Sequence, residues 1–419
     1  MPNEVNTALA RLVRRAEQAD SALLVDTFVD GGLLGDILMS PDHQIIYGRR
    51  GTGKTHALTY LADRISKSGD LPLLIDLRTI GSNGGIYSNN KLSQSERVSQ
   101  LLVDVGNEIY HKLQDVLLNN DLLDSDQKFE KAVRLLEDLA NGLEQIKVEG
   151  DIESEVSKEA VDSRSSQQGL TVSASQNPSA TLNSSDTLAS SSKSNEKHLS
   201  KGKARLRIHF GSISNPLEGI LTLVDKRLYV LLDEWSVIPE DLQPYPSDML
   251  KRTILSIRKV TLKIAAIEQR ANFRESIGDS SYIGFELGAD ISADVNLDDF
   301  MVFDNDAEKS KEFFKDLFFR HVRADLPETA SYATSDMLVS RGFTQINAFE
   351  ELVRSAEGVP RDAINIAILA AQAANNDPIS IPIVRGAARR WYQRDKEKSL
   401  EVNIDAERFL RYITSFRAG

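Results

Sequence analysis

The chain has 419 residues, of which 41% are hydrophobic and 27% are charged, and its formal net charge is −12. At about 150 residues per domain, this length predicts two or three globular domains. The absence of cysteine excludes disulfides and thiolate metal sites, and a chain this acidic is, as a whole, a poor non-specific ligand for nucleic acid.

The amino-terminal segment, residues 1–21, is predicted to form a helix. It lacks the long apolar core of a secretion signal and carries acidic residues that a transit peptide would avoid. No apolar run elsewhere in the chain is long enough to cross a bilayer. We therefore expect a cytoplasmic protein that has no membrane partner.

Short apolar segments predict buried strands, and the segments between them predict helices. The strand segments are residues 44–48, 71–77, 227–233, 260–268 and 295–302. The third and fourth are almost continuously apolar, which is typical of central parallel strands covered on both faces. After the second strand, Ser93 and Glu96 have the spacing of a capping box at the start of a helix. Strands that alternate with helices predict an α/β fold with a parallel sheet flanked by helices.

Residues 149–203 differ in composition from the rest of the chain, because they are rich in Ser, Asn and Gln and contain few large apolar residues. Such a segment cannot bury enough surface to offset its ordering entropy. We predict a disordered insertion, either a passive loop or a regulatory segment, between two parts of one α/β domain, 1–148 and 204–303. The patterns that follow predict an all-helical domain over 304–396 and a tail over 397–419.

A phosphate-binding motif follows the first predicted strand. The motif G-x-x-x-x-G-K-[ST] is matched by Gly48, Arg49, Arg50, Gly51, Thr52, Gly53, Lys54 and Thr55. Glycines let the backbone turn tightly around an anion with its N–H groups pointing inward, and the following helix adds its positive N-terminus. In such loops the lysine binds the β- and γ-phosphates and the hydroxyl binds Mg²⁺. We predict a site for ATP and Mg²⁺ that uses Lys54 and Thr55 in these roles and includes the adjoining His56.

An acidic pair closes the third predicted strand, in the sequence YVLLDEW. A P-loop ATPase needs one acid at the end of a strand to hold the metal and a second acid to handle water. Asp233 is therefore predicted to bind Mg²⁺, directly or through water. Glu234 is predicted to orient and polarise the attacking water.

These motifs resemble those of the AAA+ ATPases, in particular the origin-recognition and replication-initiator branch and its bacterial relatives. The resemblance rests on IIYGRRGTGKT, YVLLDEWS, VTLKIAAIEQR and EGVPRDAINIA. It implies an AAA+ type of P-loop NTPase fold with a C-terminal helical lid, and it implies hydrolysis of ATP. It also implies that Gln269, after the fourth strand, is a polar sensor of the γ-phosphate, and that Arg361, which opens a lid helix, is a second one.

The same resemblance implies further contacts in the family's active state. The adenine site falls on the segment ahead of the phosphate loop, at Thr27, Phe28 and Val29. The family assembles into oligomers in which a neighbouring subunit supplies an arginine finger. Candidates for that finger are Arg270, Arg274, Arg320 and Arg323.

Replication initiators carry a winged-helix DNA-binding domain after the lid, and the 397–419 segment is too short for one. A basic helix that contains Arg385, Arg389, Arg390 and Arg394 could contact DNA, or it could be a solvated helix face. Two functions stay open. One is an ATP-driven switch that forms homo-oligomers and acts on DNA or a protein partner. The other is a nucleotide-gated sensor of a bacterial defence or signalling system with little turnover.

Overall fold

The computed structural model describes residues 4–80, 92–119, 122–149, 205–277, 281–300, 306–325, 334–397 and 404–417. These residues divide into one compact unit within 1–147 and 208–419 and a second within 148–207. The predicted insertion, 149–203, lies outside the described residues except for Glu149. Its disorder, its role and the predicted domain boundaries therefore stay predictions.

A parallel sheet forms the centre of the larger unit. The strands of the described residues are β1 Gln44–Tyr47, β2 Leu71–Asp76, β3 Lys147–Glu149, β4 Arg205–Arg207, β5 Leu228–Asp233, β6 Val260–Ala266, β7 Arg274–Ile277, β8 Ser281–Gly284 and β9 Ser292–Asn296. Five of these described strands pair in the order β2-β5-β6-β1-β9, with every pair parallel. The β3–β4 and β7–β8 pairs form separate two-stranded sheets.

Four of the five strand segments predicted from the sequence coincide with strands of the parallel sheet, and the fifth overlaps β9 only at Val295 and Asn296. β5 and β6 are buried at every position, which explains their almost continuously apolar sequences. The fifth segment differs from the prediction, because β9 ends at Asn296 and Leu297–Phe300 form a short helix. The Asn296 side chain accepts a hydrogen bond from the N–H of Asp298 at 3.0 Å. This bond ends the strand and starts the turn into the short helix.

Helices account for most of the remaining described residues. They are α1 Glu4–Ala10, α2 Ser21–Thr27, α3 Leu34–Met39, α4 Lys54–Ser68, α5 Gln94–Asn119, α6 Asp126–Glu144, α7 Gly211–Val224, α8 Pro244–Thr253, α9 Leu297–Phe300, α10 Ala307–Asp325, α11 Ser335–Gly342, α12 Ile346–Ala356, α13 Pro360–Ala374, α14 Ile381–Trp391 and α15 Ile404–Arg417. Among the helices described, none combines the length and the hydropathy that a membrane span requires.

Helix α4 covers one face of the sheet. Its residues Ala57, Leu58, Leu61 and Ile65 recur at helical spacing and are buried in a core that also contains Ile46 of β1. Helices α2 and α3 pack against α4, while α5 packs against β2 and α8. The helix that carries the phosphate loop is therefore held on the sheet by apolar contacts.

The C-terminal helices build a second apolar core. Phe314, Phe318, Phe349 and Trp391 are buried there with the apolar residues of α13. The amino-terminal helix α1 belongs to the same core, because its buried residues pack against α13. The predicted fold class, an α/β P-loop domain with a parallel sheet followed by an all-helical C-terminal region, is confirmed.

Candidate functional site

The loop between β1 and α4 has the backbone geometry that its glycines require. Gly51 and Gly53 have φ angles of +97° and +96°, in the left-handed region that favours glycine. The Thr52 hydroxyl donates to the carbonyl oxygen of Arg49 at 2.9 Å. A Cβ atom on Gly48 would lie 2.5 Å from the Thr52 hydroxyl oxygen. The loop therefore closes tightly on itself before α4 begins at Lys54.

Lys54 is folded over this loop. Its Nζ donates to the carbonyl oxygens of Gly48 at 2.6 Å and Arg49 at 3.0 Å. Burial lowers the pKa of the Lys54 ammonium, and the nearby charges of Glu234 and Asp233 oppose that shift. A cation held this way beside helical N–H groups is suited to binding an anion such as a phosphate.

Asp233, the last residue of β5, lies beside the phosphate loop. Only 3% of the residue is exposed, and its carboxylate is hydrogen-bonded to the Thr55 side chain. The N–H of Glu234 donates to Asp233 Oδ1 at 2.8 Å. Burial raises the pKa of Asp233, whereas the bonds from Thr55 and Glu234 oppose the rise. A divalent cation at this position would offset the cost of burying the carboxylate.

Glu234 has an unusual backbone conformation for a residue other than glycine. Its φ and ψ of 58° and 38° place it in the left-handed region. Its carboxylate is 4.0 Å from the guanidinium of Arg78, which also forms a two-pronged ion pair with Asp76 at the end of β2. Backbone strain of this kind clusters at functional sites.

Arg361 reaches the same cleft from the helical region. It follows Pro360 in the first turn of α13, and its N–H donates to the carbonyl oxygen of Gly51 at 3.2 Å. Lys54, Thr55, Glu234 and Arg361 all line this one cleft. The structure therefore brings together the predicted phosphate, metal, water and lid residues.

The two arginines of the phosphate loop have different surroundings. Arg49 donates to Asp298 at 3.0 Å from Nε and to the carbonyl oxygen of Glu357 at 3.0 Å from Nη2, across 308 residues of chain. Arg50 is exposed at the mouth of the cleft. Arg49 thus connects the loop with α9 and with the turn before α13.

Gln269 has a less direct relation to the cleft. It lies in the exposed turn Glu268–Arg270 directly after β6. Strand β6 lies between β1 and β5, so it ends at the correct edge of the sheet. However, Ile267 lines the cleft and Gln269 does not, among the residues whose positions are described. The sensor role of Gln269 stays a prediction.

The cleft continues from the phosphate loop to α2 and α10. Of the three residues that the resemblance assigned to adenine, Thr27 lines the cleft. Phe28 stacks on Tyr60 at a centroid distance of 4.1 Å in the core behind it, and Val29 packs against the helical core. Sequence reasoning missed His321 of α10, which lines the cleft and gave no motif signal.

His56 also lines this part of the cleft, one residue after the motif. Its Nε2 is hydrogen-bonded to the carbonyl oxygen of Leu24 in α2, and its ring centroid is 6.2 Å from that of His321. Burial lowers the pKa of His56 to about 4, with a further contribution from His321. Burial also lowers the pKa of His321. Both rings are therefore neutral near pH 7.

The residues present fit Mg²⁺ held together with a phosphate. Among the described residues, no group of three or more His, Cys, Asp and Glu side chains could hold a metal ion alone. Mg²⁺ usually keeps several waters and takes one or two carboxylates plus phosphate oxygens. The buried carboxylate of Asp233 and the hydroxyl of Thr55 supply that pair of protein ligands.

The basic helix α14 is amphipathic as the sequence predicted. Its three arginines, Arg385, Arg389 and Arg390, are exposed and Trp391 is buried, and Arg394 is exposed in the turn that follows the helix. Arg385 forms an ion pair with Glu351 at 2.6 Å, and Arg394 packs over the ring of Trp391 at 5.6 Å. The predicted contact of these arginines with DNA stays a prediction.

The candidate arginine fingers occupy different surroundings. Arg270 and Arg323 are exposed. Arg274 packs over Tyr282 at 4.0 Å, and Arg320 donates to the carbonyl oxygen of Phe28 at 2.9 Å. The choice of a finger among them stays open.

No protein-family model matches the chain, and no curated protein sequence matches it. Among solved structures, the chain is similar to the crystal structure of Cdc6p from Pyrobaculum aerophilum. The two share 14% sequence identity over 89% of this chain and 71% of that one, with a TM-score of 0.35. A similarity at this level shows neither a family nor a function for this chain.

Proposed function

We propose that this chain binds ATP with Mg²⁺ and hydrolyses it as an AAA+ switch of the origin-recognition type. The observation that carries the proposal is the convergence of Lys54, Thr55, Glu234 and Arg361 on one cleft, with Asp233 bonded to Thr55 at its base. These residues come from β1–α4, β5 and α13, which are far apart in the chain. Each has the chemistry that one part of a P-loop ATPase site needs.

The geometry supports the following roles. The loop N–H groups and Lys54 bind the β- and γ-phosphates, while Thr55 and Asp233 hold Mg²⁺, which neutralises charge on the phosphates when bound. Glu234 accepts a hydrogen bond from the attacking water, and Arg361 stabilises charge on the γ-phosphate. Because Arg361 belongs to α13, nucleotide binding is coupled to the position of the helical region.

Two variants test this assignment. Lys54→Ala removes the phosphate cation and is expected to abolish the calorimetric heat of ATP binding. Glu234→Gln keeps the shape of the side chain and is expected to bind ATP normally but to hydrolyse it roughly 100-fold or more slowly. Lys67→Ala, at the exposed end of the same helix, and Glu240→Gln, an exposed acid, are the matched controls. Wild-type hydrolysis by both site variants would contradict the proposal.

We further propose that ATP drives assembly of homo-oligomers, in which a neighbouring chain supplies an arginine, and that the assembly acts on DNA or a protein partner. Light scattering after size exclusion, with and without a non-hydrolysable ATP analogue and duplex DNA, tests both parts. A mass that does not change with the analogue would contradict ATP-driven assembly. If duplex DNA does not change the elution of the chain, DNA is excluded as the target and a protein partner remains the proposed one.

One observation favours the second candidate, a nucleotide-gated sensor with little turnover. The guanidinium of Arg78 faces Glu234 at 4.0 Å, where its N–H groups compete with a water molecule for the carboxylate oxygens. Arg78→Ala is then expected to increase the turnover of ATP without changing its affinity. A decrease in turnover would instead indicate that Arg78 positions Glu234 for catalysis.

A further inference from the structure

The part of the cleft beside α2 and α10 is built from side chains of which only Thr27 was assigned to the nucleotide base by the resemblance. Leu24, Thr27, His56 and His321 line it, and it is continuous with the part that Lys54 lines. It is thus the region into which the base of a nucleotide extends when its phosphates lie on the loop.

Three polar side chains of this region, Thr27, His56 and His321, share one property. The proton of each is bound to a backbone carbonyl oxygen. The bonds run from the Thr27 hydroxyl to Leu23 at 2.6 Å, from His56 Nε2 to Leu24, and from His321 Nδ1 to Leu317 at 2.8 Å. A carbonyl oxygen can only accept, so the proton must be on the side-chain atom in each case. These three side chains therefore have no proton left to donate to a ligand.

His321 has an acceptor available instead. A neutral imidazole with its proton on Nδ1 carries a lone pair on Nε2. Within the described part of the chain, Nε2 of His321 has no hydrogen-bond partner, and the ring is partly exposed to the cleft. Burial lowers the pKa of His321, which keeps the ring in the neutral form.

We propose, on the basis of the ATP site proposed above, that His321 determines base specificity by accepting a hydrogen bond from the 6-amino group of adenine. In guanine and hypoxanthine the 6-position carries a carbonyl oxygen. That oxygen would face the lone pair of His321, and it would find no donor on Thr27, whose hydroxyl proton is bound to the carbonyl oxygen of Leu23. The site therefore selects ATP over GTP and ITP.

The decisive measurement is the binding of ATP, ITP and purine riboside triphosphate to the full chain with Mg²⁺, by calorimetry. ITP replaces the 6-amino group by a carbonyl, and purine riboside triphosphate has only hydrogen there. An unmatched buried carbonyl costs enough to weaken ITP roughly 10- to 100-fold relative to ATP. Purine riboside triphosphate, which loses one hydrogen bond and meets no repulsion, is expected between the two.

Two variants assign the effect to one side chain. His321→Gln introduces an amide that can donate to a carbonyl, and it is expected to lower the ratio of ATP affinity to ITP affinity at least roughly fivefold. His321→Phe keeps the ring without its acceptor and is expected to bind ATP and purine riboside triphosphate equally. His111→Gln, an exposed histidine of α5, is the control and should keep the parent ratio. Ratios measured within one variant cancel any loss of folded protein.

The outcomes separate this inference from the ATP site on which it rests. Equal binding of ATP and ITP by the parent, or an unchanged ratio in His321→Gln, overturns the role of His321 and leaves the ATP site intact. Failure of the parent to bind any triphosphate overturns both. A selective loss of the ATP preference in the two His321 variants supports the role.

Discussion

The backbone N–H of Arg361 donates a hydrogen bond to the carbonyl oxygen of Gly51 at 3.2 Å. The first turn of α13 is therefore bonded directly to the phosphate loop. The side chain of Arg49 adds a second connection, to the carbonyl oxygen of Glu357 in the turn just before that helix. Because both contacts involve backbone atoms, a shift of the loop must shift the start of α13 or break them.

The closeness of these backbones makes Gly51 sensitive to any side chain. A Cβ atom there would lie 2.8 Å from the Cβ of Arg361, and the φ of +97° is strained for alanine. We expect Gly51→Ala to lower the free energy of unfolding by about 1–3 kcal/mol and to weaken ATP binding, as measured by urea denaturation and calorimetry. Gly386→Ala, in α14 with nothing within 4 Å of the added atom, is the control. Equal behaviour of the two variants would contradict the prediction.

Removing the side chain of Arg361 tests the chemical role of the helical region. Arg361→Ala leaves the N–H bond to Gly51 in place, so we expect ATP still to bind while single-turnover hydrolysis slows roughly 10- to 1,000-fold. Arg361→Lys should recover part of the rate, because it keeps the charge but not the planar fork of donors. Arg390→Ala, an exposed arginine of α14, should hydrolyse ATP like the parent. Parent-like hydrolysis by Arg361→Ala would rule out the assigned role.

The buried carboxylate of Asp233 is expected to lower the stability of the metal-free protein while it serves the proposed Mg²⁺ site. Its pKa is raised by burial, so the folded state resists ionisation and loses stability as the pH rises through that pKa. In EDTA at pH 7.5 we expect Asp233→Asn to unfold at an equal or higher urea concentration than the parent. The same variant should lose the Mg²⁺ dependence of ATP affinity. Asp26→Asn, an exposed acid, is the control, and retained Mg²⁺ dependence in Asp233→Asn would count against the metal site.

Lys263 predicts a pH-dependent stability that is independent of the nucleotide. It is fully buried in β6, donates to the carbonyl oxygens of Ser40 and Asp42, and has its pKa lowered by burial to about 7. Between about pH 7 and 10 the unfolded chain therefore binds more protons than the folded one. In that window Lys263 should make the free energy of unfolding rise with pH by up to ~1.4 kcal/mol per unit.

Urea denaturation at pH 7, 8 and 9 measures this slope. Lys263→Met should reduce it, whatever its effect on absolute stability, because the slope depends on the titrating group alone. Lys259→Met, at an exposed position, should keep the slope of the parent. Identical slopes in all three proteins would show that Lys263 keeps its proton in the folded state.

Much of the fold and of the phosphate end of the site could be predicted from local patterns. The phosphate loop is a run of eight residues in which glycine conformation, the preceding strand and the following helix are local properties. Asp233 and Glu234 were recognisable because an apolar strand ends at them. The end of β9 at Asn296 was missed, because the predicted strand continued to residue 302. A hydrogen bond from the N–H of Asp298 to the Asn296 side chain ends the strand earlier.

Contacts between distant segments were beyond the reach of such patterns. The strand order β2-β5-β6-β1-β9 and the packing of α1 against α13 depend on which apolar faces meet, and hydrophobic periodicity marks a face without naming its partner. For the same reason the resemblance assigned Phe28 to the base, whereas the structure stacks it on Tyr60 in the core. The acceptor on His321 is available to the cleft because the carbonyl oxygen of Leu317 accepts the proton of the ring and because α10 packs against α2. The chemistry available at the loop was thus encoded in neighbouring residues. The contact of Arg361 with that loop and the position of His321 beside His56 instead came from the way separate helices pack around the cleft.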